Sequence, residues 1–127
     1  MSDVCCVEIS CRRRDARRFA KFGFKVVDDD EGSGVVRMRD EAANYAHYGK
    51  LPKNIPYFGW HTSGGEYGPH EFACDGRKTA EVETAVDGTI IVHVGDDNTV
   101  DRRELRWVKE YRACLKRARR VLGLKDK

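Results

Sequence analysis

Apolar and polar positions alternate from Val4 to Cys11. Cys5, Val7, Ile9 and Cys11 fall on one side, and Glu8 and Ser10 on the other. A period of two predicts a half-buried strand. The spacing then changes: Ala16, Phe19, Ala20 and Gly23 form one stripe among arginines and lysines. That pattern predicts a helix over about Arg12 to Phe22, with Ser10 as its cap. Gly23 would end it, and Phe24 would fold back onto the last turn.

Short β-prone runs follow at Phe24–Asp28 and Val35–Arg39, joined by Asp28-Asp29-Asp30-Glu31-Gly32-Ser33-Gly34, which reads as a solvated loop. Asp40–Gly49 mixes three alanines with two tyrosines and reads as a short helix or irregular turn. Pro52 and Pro56 oppose regular structure between them. Strands are expected at Tyr57–Thr62, His70–Cys74, Lys78–Ala85 and Thr89–Val94. The Asp75-Gly76 and Asp87-Gly88 turns between them give an antiparallel meander.

The last element carries the strongest periodicity. Leu105, Val108, Tyr111, Leu115, Ala118 and Leu122 mark one helical face. Asp101 and Glu104 form a capping-box-like pair, Val100 and Leu105 a hydrophobic staple, and Gly123 a stop that Leu124 covers. Trp107, Tyr111, Cys114 and Val121 widen the apolar arc to about half the circumference, more than one sheet contact needs. A second copy of the chain is one candidate cover for the excess, making a homodimer. The predicted architecture is one α+β domain over 1–127. Its mostly antiparallel sheet runs β-α-β-β and then a meander, with an N-terminal helix and a long C-terminal helix on one face.

Composition agrees with one water-facing domain: 40% of residues are hydrophobic and 35% charged, and mean hydropathy is −0.66. The N-terminus lacks a signal-peptide pattern, and no run approaches the roughly 18 apolar residues of a membrane span. Five cysteines, two of them adjacent, suit a reducing cytoplasm better than a disulfide framework. Charge changes the picture more. The net +3 hides a balance of +6 over Arg12–Lys25, −8 over Val26–Val100 and +6 over Asp101–Leu122.

Four groups of residues bear on chemistry. Arg13 and Arg17 on the first helix, with Arg102, Arg106, Lys109, Arg112, Lys116 and Arg119 on the last, form a basic face. If the helices share a side of the sheet, this is one slab that attracts phosphate backbones. Asp28, Asp29, Asp30 and Glu31 offer a carboxylate surface for a basic partner; their order does not match a calcium loop. Trp60, His61, Glu66, Tyr67 and His70 crowd a glycine-rich loop that suits a small ligand or acid–base chemistry. His61-Thr62-Ser63 matches one H-x-S/T pattern, but a two-histidine phosphoesterase needs a second copy, which neither His70 nor His93 supplies. His61, His70 and Cys74 lack zinc-ligand spacing, so no metal and no cofactor is expected.

These readings predict a small, non-catalytic, cytoplasmic binding protein with no assigned catalytic residue. It would be a regulator or inhibitor of the accessory type carried by phage and mobile elements. Its partner would be nucleic acid or a nucleic-acid-handling protein, not a membrane. The alternative is a small-ligand binder or enzyme built on the Trp60–His70 loop.

Overall fold

The computed structural model describes residues 4–44, 51–62 and 68–124. Among them are β1 (Val4–Arg12), a single 3-10 turn (Arg13–Asp15), α1 (Ala16–Ala20), β2 (Lys25–Asp30) and β3 (Val35–Asn44). Then come β4 (Pro56–His61), β5 (His70–Asp75), β6 (Thr79–Glu83) and α2 (Arg102–Val121). The six strands make one antiparallel sheet in the order β2-β3-β1-β4-β5-β6.

The α+β class and the antiparallel sheet bearing both helices are as expected. The helices, however, take opposite faces. On one face, Val7, Ile9 and Cys11 of β1 pack with Val36, Met38, Tyr57, Phe72 and Cys74, under Phe19 of α1 and the loop residues Leu51 and Ile55. On the other, Ala73 and Val82 pack with Phe58 and Ala80 beneath Tyr111 and Cys114 of α2. The reason lies in β5: Phe72 and Cys74 point one way and Ala73 the other, and all three are buried. A strand apolar on both faces needs a layer on each side. The single basic slab expected from a shared face therefore does not form.

The first helix is also shorter than its pattern predicts. β1 runs on to Arg12, which pairs with Val35, so Ser10 is a strand residue and not a cap. Gly23, at φ +104°, ends the helical turn as expected, and Phe24 meets Phe19 edge-on at 6.1 Å. Asp28–Asp30 belong to β2, and β3 extends through Asn44, where a helix or turn was expected; residues 45–49 of that segment lie outside the described residues. Thr89–Val94 is not a strand: it carries two isolated bridges, Thr84 to Ile90 and Val94 to Val100.

α2 begins at Asp101, whose Oδ1 accepts from the Arg103 N–H at 2.8 Å. Glu104 does not reach back to close a capping box; it accepts from the His93 N–H at 3.1 Å. The Val100–Leu105 staple stays about half exposed. The far end matches expectation: Gly123 has φ +79°, and the Gly123 and Leu124 N–H groups donate to the carbonyls of Arg120 and Arg119. This is a Schellman ending. Of the wide apolar arc, Tyr111, Cys114, Ala118 and Leu122 are buried, whereas Leu105, Trp107 and Val121 stay about half exposed.

Candidate functional site

α2 packs on β4, β5 and β6 and leaves the β1–β3 half of the same face uncovered. The residues turned that way are polar: Glu8 and Ser10 of β1 alternate with the buried Val7, Ile9 and Cys11, and Arg37 and Arg39 of β3 flank Met38. Helix and bare half-sheet enclose a groove of about 600 Å³, floored by Ser10, Phe58, Gly59 and Trp60. Arg37 lies on one wall, and Arg112, Leu115, Lys116 and Arg119 of α2 on the other.

Its electrostatics are lopsided. Glu8 is 7% exposed and bound by Arg39, at 2.7 Å, and by Arg37, at 3.6 Å. Glu71, the other acid of the groove, accepts from Tyr111 Oη at 3.1 Å. Burial and the Glu71 charge push the Tyr111 hydroxyl well above its usual range, so it stays a donor. Arg119 lies over the Phe58 ring at 5.4 Å, a cation–π contact at the groove's lip. Arg112 and Lys116 have no ion-pair partner among the described residues. Four cations line the groove against two acids; Arg37 is paired with Glu8 and Asp28, so the positive excess lies on the α2 wall. A second hollow of about 400 Å³, beside Trp107 and Glu110, has Lys53 as its one cation among the described residues.

The sequence-derived basic face is thus divided. Arg102, Arg106, Lys109, Arg112, Lys116 and Arg119 form one row along α2, and its last three line the groove. Arg17 is exposed on α1, across the sheet. Arg13 makes a bidentate pair with Asp29, which holds that carboxyl below its usual range. The acidic group is largely engaged within the chain. Asp28 pairs with Arg37 at 3.4 Å, and Asp30 accepts from the Gly32 N–H at 3.1 Å. Glu31 is exposed in the turn.

The aromatic–histidine group is divided between the two faces of β4, yet Trp60, His61 and His70 all line one hollow of about 630 Å³, together with Thr62, Thr84 and Val86. Trp60 and His61 are consecutive in β4 and point to opposite faces. Trp60 is 36% exposed and His61 only 1%. His61 stacks near His70, with ring centroids 5.0 Å apart. Its Nδ1 donates to the Thr62 carbonyl at 2.9 Å. Burial pushes the His61 pKa down, and the nearby His70 adds to this against the Thr62 hydrogen bond. His61 is therefore a neutral core residue at pH 7. Glu66 and Tyr67 lie outside the described residues.

Among the described residues no group of three or more His, Cys, Asp or Glu side chains is placed to hold a metal ion, and no helix is long and apolar enough to cross a membrane. The cysteines are thiols, and burial pushes Cys11 up to about 12, which removes it as a nucleophile. Arg37, Ser10 and Phe58 are among the groove residues missed from sequence. Their signal was strand parity, since each alternates with a core position. Set beside known proteins, the chain matches no family model, no curated protein and no solved structure.

Proposed function

We propose that this chain is a small, non-catalytic binding protein that engages nucleic acid through the groove between α2 and the uncovered half of the sheet. It would act as a regulator or inhibitor of the phage or mobile-element accessory type. The observation that carries this reading is the Arg112–Lys116–Arg119 row facing Arg37 across a concave, aromatic-floored surface. Lysine and arginine neutralise phosphates and release their counterions, and a cleft lined by one sign of charge concentrates the opposite sign. A nucleic-acid-handling protein presenting a phosphate-like acidic surface would meet the same row, and β2, whose own acids are engaged, is the weaker docking face. The Trp60–His70 small-ligand reading has a hollow of about 630 Å³ lined by Trp60, His61 and His70; it draws less support because His61 presents almost no surface there, at 1% exposure.

The test is retention on immobilised nucleic acid against salt. Binding should fall steeply as salt rises, and charge reversal at Arg112, Lys116 and Arg119 should weaken it sharply. Salt-independent retention, or indifference to those reversals, would overturn the reading.

A further inference from the structure

We infer that the groove accepts a single strand, with an unpaired base stacked on Trp60 while Arg37 and the α2 cations hold its phosphates. This deepens the nucleic-acid reading above and rests on it. Trp60 sits on β4, with β1 on one side and β5 on the other. Its Cα partners across the two ladders are Glu8 and Glu71, each held by a partner of its own. In that interior position an indole is usually covered, yet Trp60 keeps 36% exposure, and no ring or cation packs on it among the described residues. Phe58, two residues away, is by contrast covered by Arg119. The groove thus offers one open aromatic platform beside a bank of cations.

A duplex keeps the faces of its bases stacked on one another, so its backbone meets the cations while its bases stay out of reach of Trp60. An unpaired strand can turn a base outward. Cations tracking the backbone beside an aromatic platform are the means by which single strands are held without regard to sequence.

The experiment uses the full chain carrying Trp107→Phe, so that Trp60 is the sole tryptophan of the two in the sequence. It is titrated with oligo-dT and oligo-U of about 12 nucleotides, with a duplex of the same length, and with polyglutamate. A single strand, DNA or RNA, should quench Trp60 fluorescence and bind more tightly than the duplex. Followed by the anisotropy of a dye-labelled strand, Trp60→Ala should weaken binding by roughly 5- to 150-fold, and Trp60→Phe should restore most of the loss. If the duplex binds as well as the single strands, or if Trp60→Ala changes nothing, stacking is overturned and the nucleic-acid reading stands. If no nucleic acid binds, whether or not polyglutamate does, both are overturned.

Discussion

Gly59 shows how a single position can carry the groove. It pairs with Ile9 across β1 and β4, and a β-carbon built on it would lie 1.9 Å from the Glu8 carbonyl oxygen. That atom is backbone and cannot rotate away, so Gly59→Ala must push two central strands apart. We expect a loss of about 3 kcal/mol or more, read as a lowered urea midpoint; a midpoint within about 0.5 kcal/mol of the parent would show that β4 yields cheaply. Sequence alone could not reveal this, since the clash belongs to a strand about fifty residues away. The separation of Trp60 from His61 was within reach. The alternation that identifies β1 applies equally to β4 and sends neighbours to opposite faces. Residue types suggested a shared site; parity sets Trp60 and His61 on opposite faces, although both still line one hollow with His70.

At the scale of elements, α2 was legible because its signals are local: an apolar stripe, a capping aspartate, a terminal glycine. Asp101→Ala should cost about 1 kcal/mol in denaturant unfolding, and an unchanged midpoint would mean that the first turn holds without the Asp101–Arg103 bond. The destination of Glu104 was not legible, because its acceptor role depends on where His93 is brought by the preceding turns. A second attachment joins α2 to the β5–β6 turn. Asp75, its side chain 9% exposed, accepts from the Arg77 and Lys78 N–H groups, each at 2.8 Å, and from Arg117 Nε at 2.7 Å. Burial pushes its pKa up, but the Lys78, Arg117 and Arg77 hydrogen bonds outweigh this and hold it near 2, against an ordinary 3.8. A depressed carboxyl stabilises the fold above its unfolded pKa and loses that contribution as pH falls through the folded one. Asp75→Asn should therefore be less stable than the parent by about 2 kcal/mol at neutral pH. The gap should close between about pH 4 and pH 2. Thermal melts across that range check it, and a constant gap would assign the loss to packing instead of charge.

For the whole molecule, the outcome turned on which side of the sheet each helix covers. The charge segregation in the sequence is real, with two basic segments of equal balance around an acidic middle. Composition could not say that the sheet would stand between them. That depended on β5 being apolar on both faces, which commits α1 to one layer and α2 to the other. It also explains why α2 leaves half of the sheet's face open: the β1–β3 side there is polar, so covering it would bury Arg37 and Arg39 for little apolar gain. The two basic segments are thus separate surfaces, and they should behave differently toward a short ligand. With a single strand of about 8 nucleotides, reversing Arg112, Lys116 and Arg119 should lower the slope of log K against log salt by about 2, since each phosphate contact contributes about 0.7. Reversing Arg17 and Arg18, exposed on α1 across the sheet, should change it by less than one contact's worth. Equal losses from the two sets would mean that the strand wraps the sheet edge and reads both faces, or that net charge alone drives binding. A loss confined to α2 would place binding on the face where Trp60 lies.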